Sequence, residues 1–162
     1  MAFNEHSSTS RFSLRNILNL ALRSLQIIFA LAVVGLYAQD LNKARKLGKY
    51  SDSKWGFATA IGVLSAITAA LYAVLPLIVR SFTTALLFGW DFILFILWVA
   101  VFGIFGSMYI KEDAEGNGGI MRMKNAVWID LINMLLWFVS GIVGGLGFWR
   151  WKKGGKVSHG QA

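Results

Sequence analysis

The chain has 162 residues, 56% of them hydrophobic, with no cysteine and a net charge of +8. That length fits one domain, and the missing thiols exclude disulfide-clamped loops, thiol catalysis, Cys-ligated metals and palmitoylation. The charge could serve nucleic acid, but the basic residues sit between and outside long apolar runs. Anionic lipid is therefore the expected partner and nucleic acid is not.

Residues 1–10 are polar, and Ser8, Thr9 or Ser10 can cap the helix that follows. On a helical wheel Arg11, Arg15, Asn16, Asn19, Arg23 and Gln26 fall within about 140° of arc, with Leu14, Ile17, Leu18, Ala21 and Leu25 opposite. This predicts an interfacial amphipathic helix over 11–22, starting within a polar N-terminal segment (1–18). It leads into a first span, 19–38, with Arg23 reaching back to the headgroups. A short, mostly basic loop (39–55) ends at Trp55, which belongs at the interface.

The second span, 57–79, gathers Ala58, Thr59, Gly62, Ser65, Ala66, Ala69 and Ala73 on one face. Small residues at that spacing let helix backbones approach closely. Pro76 bends its exit towards Arg80. The third span, 89–110, contains an uncharged stretch, Phe92–Ile110, that rises roughly 28 Å as a helix, the thickness of a hydrocarbon core. Its smaller face (Gly89, Ile96, Ala100, Gly103, Ser107) is expected to meet the second span. Its other face carries Asp91, Phe95, Trp98, Phe102, Phe105 and Tyr109. Residues 111–124 form a loop with a Gly-Asn-Gly-Gly turn.

In the fourth span, 126–149, Asp130, Asn133, Trp137, Ser140, Gly141, Gly144 and Phe148 all fall within about 100° of the wheel. Lipid satisfies neither Asp130 nor Asn133, so this face must look into protein. Gly141 and Gly145 add a close-contact spacing. The basic tail, 151–162, begins just after Arg150. Together with Arg11 and Arg15, the residues Arg150, Lys152, Lys153 and Lys156 are expected to contact lipid headgroups. Trp55, Trp90, Trp128, Trp149 and Trp151 mark the span ends, which gives four spans. The fold class is thus an all-α integral membrane bundle of four helices (19–150), preceded by a short amphipathic helix. Lys and Arg divide evenly between the two sides, so charge alone leaves the orientation open.

Asp91 and Asp130 would interest anyone seeking an ion path. Each is expected near the start of its helix, where the dipole favours a carboxylate, and at opposite depths. Arg23 lies at a depth similar to Asp91 and is expected to pair with it, Arg80 competing. Asp130 is expected to be held by Asn133, Asn125 or Arg122. His6 and His159 lie in opposite tails, so no metal site is expected, and no catalytic set or cofactor motif occurs. Two functions follow. One is a non-enzymatic protein that gathers lipid or partner proteins into a microdomain or carrier. The other is a small channel or transporter using Asp130, Asn133 and Ser140.

Three blocks carry a resemblance: YSDSKWGFATAIGVLSAITAALY, WDFILFILWVAVFGIFGSMYI and RMKNAVWIDLINMLLWFVSGI. Together they resemble the fungal branch of the MARVEL-domain tetraspan proteins, over about residues 20–150. The resemblance implies an M-shaped bundle with cytosolic termini in the plasma membrane or in secretory and endocytic vesicles. It also implies a role in membrane apposition, vesicle trafficking or lipid microdomains. The non-classical export branch is tied to eisosomes. Anionic lipid, sterol or sphingolipid, other membrane proteins and a second copy of the chain are the implied partners. No catalytic residues come with the family.

Overall fold

The computed structural model describes residues 6–48, 53–78 and 84–157. Four helices follow in order: α1 (His6–Lys46), α2 (Ser53–Ile78), α3 (Thr84–Tyr109) and α4 (Gly118–Val157). No strand occurs among the described residues. Each helix contains a stretch long and apolar enough to cross a membrane. Helices are the natural solution there, because every backbone N–H and C=O is satisfied within its own segment.

The helices run past the expected spans. α1 is unbroken from His6, so the amphipathic segment is the first part of the same helix and begins ahead of Ser8–Ser10. At its other end α1 takes in half of the loop expected over 39–55, and α4 takes in residues 118–125 and 151–157. Gly116 has φ +81°, a left-handed conformation that glycine adopts without strain, and the next residue caps α4. Asn117 Oδ1 accepts the Gly119 N–H at 2.9 Å, satisfying one of the free donors at the helix start.

α1 packs chiefly on α2, and α3 chiefly on α4; α1 also meets α4, while α2 and α3 touch least. The bundle is therefore two helix pairs joined mainly along α1 and α4. The small face of α2 meets α1: a Cβ at Gly62 would lie 2.8 Å from Val34 Cγ2 and 3.2 Å from the Ala30 carbonyl oxygen. Ala58, Ser65 and Ala69 are buried along the same face, and Ala66 is half-buried.

The faces of α3 are reversed from the sequence expectation. Ile96, Ala100, Gly103 and Ser107 are exposed, and a Cβ at Gly103 would meet nothing within 4 Å. The aromatic side is the buried one, with Trp98 and Phe105 fully enclosed and the Tyr37 ring of α1 tilted 40° to that of Phe105, centroids 4.4 Å apart. The physical reason is area: aromatic rings bury far more surface and dispersion contact than glycine and alanine do. Outside this core lies a continuous apolar coat that includes Leu18, Leu31, Ile96, Ile142 and Val143, all exposed. Such a surface is suited to acyl chains. Trp128 and Trp149 are exposed on α4, and their spacing of twenty-one residues gives about 31 Å, one hydrocarbon thickness.

Candidate functional site

The polar groups within the spans occupy separate levels between α1 and its neighbours. Call the end where α1 starts and α4 finishes the terminal end. The level nearer that end is built on Arg23. Its Nη1 donates to Gln26 Oε1 at 2.8 Å, and its Nη2 lies 3.5 Å from Asp91 Oδ2. Ser140 Oγ donates to the same carboxylate oxygen from α4. Gln26 Nε2 in turn donates to the Leu136 carbonyl at 3.4 Å. The guanidinium sits 4.6 Å from the Tyr72 ring centroid and 5.9 Å from that of Trp137. Tyr72 donates its hydroxyl to the Leu87 carbonyl at 3.2 Å. All four helices thus contribute to the surroundings of one cation.

Arg23 is 9% exposed, so it does not reach back to the headgroups. The opposed carboxylate and the aromatic faces hold it inside, where Coulomb attraction is least screened. Side-chain detail at Arg80, the expected competitor, lies outside the described residues.

Asp130 belongs to the other level. It is fully buried, and Tyr37 donates its hydroxyl to Oδ2 at 2.6 Å. None of the expected partners holds it. Asn133 donates instead to the Ile129 carbonyl one turn back at 3.0 Å, Asn125 is exposed, and Arg122 bonds to Asp40. The reason is reach: Arg122 lies two turns nearer the loop, level with the charged end of α1. Neither carboxylate lies in the first turn of its helix, since α3 starts at Thr84 and α4 at Gly118. The dipole acts only over that turn, so side-chain donors stabilise these carboxylates instead. On α4 the two levels are ten residues, about 15 Å, apart. Leu94, Trp98, Val101 and Trp137 are fully buried in the core that includes this interval.

A family model described as a membrane-associating domain, MARVEL, matches residues 16–127. The chain belongs to the MARVEL family. A search of curated proteins returns no match. The match covers α1 to α3 and the start of α4, so Asp130, Asn133 and Ser140 lie beyond it. The Arg23–Asp91 pair falls within the MARVEL segment, whereas its Ser140 partner does not.

Below the Arg23 level, the MARVEL bundle opens into a cleft of about 660 Å³ between α1 and α4, under the start of α3. Leu14, Leu18 and Leu22 line one side, Val139 and Val143 the other, and Phe88 closes the top. Gly144 and Gly145 pack on Phe88, with a Cβ at Gly145 falling 2.9 Å from the ring. Gly141 is buried but a Cβ there would meet nothing within 4 Å, so it makes no close helix contact.

Of the residues expected at headgroups, Arg150, Lys152 and Lys153 are exposed, and Lys153 Nζ sits 3.8 Å above the Trp149 ring. The side chains of Arg11, Arg15 and Lys156 lie outside the described residues, as do those of His6 and His159. Tyr37, Tyr72 and Asp40 were missed by sequence reasoning. A tyrosine in a span reads as an interfacial aromatic, and only the facing helix shows that its hydroxyl points inward. Gln26 carried the one available signal, its place on the Arg23 stripe.

Proposed function

We propose that this protein is a non-enzymatic organiser of membrane, holding lipids and partner proteins in plasma-membrane microdomains or vesicle carriers. The observation that carries the reading is the division of the surface. Described intramembrane charges turn inward onto partners, Arg23 with Asp91 and Asp130 with the Tyr37 hydroxyl, apolar side chains cover the outside, and exposed basic residues lie at both ends, Arg150, Lys152 and Lys153 beside Trp149 and Lys43, Arg45, Lys46 and Lys111 at the other. Such a body is built to sit in lipid with basic residues at each headgroup layer. In this reading the termini lie in the cytosol, where Arg150, Lys152, Lys153 and Lys156, with Arg11 and Arg15, attract anionic lipid. A fungal source and an eisosome-like compartment follow from the resemblance of the three sequence blocks. Self-association through the exposed small face of α3 at Ala100 and Gly103 is part of the same reading.

A conducting role draws no support from the seam. Asp130 and Ser140 share a helix face, but fully buried Trp137 stands between them.

The test is live imaging of the tagged chain beside markers for plasma-membrane domains and Golgi. Clustered spots that disperse when the six basic residues are changed to glutamine support the proposal. A uniform distribution indifferent to that change refutes it.

A further inference from the structure

We propose that Asp130 holds a proton at neutral pH, as an uncharged acid donating to Asn133, and that this proton keeps α1 seated on α4 at the loop end. The inference stands apart from the lipid-association reading.

Asp130 and Asn133 are both 0% exposed, and each has one side-chain oxygen, Oδ1, with no hydrogen-bond partner. The Asn133 amide is oriented by its Nδ2 bond to the Ile129 carbonyl at 3.0 Å, so its remaining atom is an acceptor in want of a donor. An ionised Asp130 only accepts, which would leave both oxygens unmade at the full cost of burial. Their enclosure leaves no space for a water or an ion beside them. A proton needs none. Placed on Asp130 Oδ1, it turns one of the two acceptors into a donor for the other. The residues stand three apart on one face of α4, where Cβ atoms lie about 5–6 Å from each other, within reach of that bond. Asp130 Oδ2 remains the carbonyl oxygen that accepts from the Tyr37 hydroxyl at 2.6 Å.

Charge points the same way. Among the described residues Arg23 pairs with Asp91 and Arg122 with Asp40, and no cation contacts Asp130. A lone carboxylate buried inside a bilayer is far costlier than the neutral acid. The titratable and charged groups around it are Tyr37 and Asp40 on α1, Tyr109 on α3, whose ring stacks on Phe105, and Arg122 and Lys124 on α4. On α2 the group at that end is Lys54, exposed in the first turn. Of these, the Tyr37 hydroxyl is the one bonded to Asp130. The next unpartnered donor along the face, Trp137 Nε1, belongs to a ring 5.9 Å from the Arg23 guanidinium, at the other level. Removing the proton leaves an uncompensated charge between α1 and α4, and the water it draws in separates the two helices.

The experiment uses the purified full chain in vesicles of ether-linked phosphatidylcholine. That lipid has no ester carbonyl, so the infrared C=O stretch of a neutral carboxylic acid is visible. The expected result at neutral pH is such a band, lost in Asp130→Asn. Tyr37→Phe removes the hydrogen bond to the carbonyl oxygen and should move the band to higher wavenumber without abolishing it. This second arm stands even if Asp130→Asn does not fold. The chain has no cysteine, so spin labels at Lys43→Cys and Met121→Cys, both exposed near the Asp40–Arg122 contact, report the α1–α4 separation. Raising the pH until the band is lost should widen that separation, whereas Asp130→Asn should hold it constant over the same range. Unfolding in step with the loss of the band is the extreme form of the same result. No band at neutral pH, a band that neither variant alters, or a separation indifferent to its loss overturns the proposal.

Discussion

Tyr37 on α1 and Asp130 on α4 meet through a 2.6 Å hydrogen bond, ninety-three residues apart in sequence and both fully buried. Together with Asp40–Arg122, this contact fixes α1 against α4 at the loop end, as Arg23, Asp91 and Ser140 fix it deeper in the bundle. Tyr37→Phe removes the Oδ2 donor in a carboxylate whose Oδ1 already has no hydrogen-bond partner. The expected loss is about 1–3 kcal/mol of stability, and more if the group is charged. Adding Asp130→Leu to Tyr37→Phe should recover part of it. Thermal unfolding in nanodiscs measures both, and an additive double variant would show that the bond carries no coupling.

Arg23→Leu or Asp91→Leu leaves an opposite charge unpaired and should cost about 3–5 kcal/mol. The double leucine variant should cost much less than the sum, because no charge is stranded. The charge swap Arg23→Asp with Asp91→Arg should likewise misfold less than either single change. A swap as damaged as both singles together shows that the pair is not an energetic unit.

Gly62 and Gly103 are predicted to behave oppositely. Gly62→Val would press Cβ against the Ala30 carbonyl oxygen, a backbone atom unable to swing aside, and should separate α1 from α2. A loss of about 1–3 kcal/mol is expected, as for an overpacked core. Gly103→Ala meets open space and gains helix propensity, so stability should hold or rise by up to about 1 kcal/mol. Unfolding midpoints of the two variants decide it. A self-association defect with unchanged stability in Gly103→Ala would place the copy–copy contact on that face.

Trp98 bridges the weakest helix interface, donating its indole N–H to Ser65 Oγ at 3.0 Å. Trp90 does the same to Thr68 Oγ1 one level away at 3.2 Å. Ser65→Ala leaves the fully buried Trp98 donor unmade and should cost about 1–3 kcal/mol. Thr68→Val faces a half-exposed Trp90 and should cost less. Equal effects would indicate that burial does not set the energy of these bridges.

The four rods were legible because long uncharged runs bounded by tryptophan and basic residues have few other physical uses. The inward seam of α4 was legible for a similar reason, since Asp130, Asn133 and Ser140 share one face and lipid tolerates none of them. What the wheel of one helix does not contain is the identity of its neighbour. Gly103 and Ala100 look like a packing face on α3, but the other helices meet its aromatic side, Tyr37 at Phe105, Ser65 at Trp98 and Phe138 at Phe95, because that side offers more area. Asp130 looked tied to its own helix because Asn133 and Arg122 are near in sequence, yet the donor arrives from Tyr37. Helix ends were also under-read, since charged residues such as Lys43 and Arg150 continue a helix beyond the bilayer without any change in its hydrogen bonding.

The sequence separation of sixty-eight between Arg23 and Asp91 imposes an order on biogenesis. When the first hairpin leaves the ribosome, its cation enters lipid before its counter-ion exists, a penalty of about 2.5–3.5 kcal/mol at mid-bilayer. Until synthesis reaches the third helix, the nascent chain carries an unsettled debt that membrane quality control can sense. A chain ended at residue 88 should therefore be degraded faster than the same truncation with Arg23→Leu.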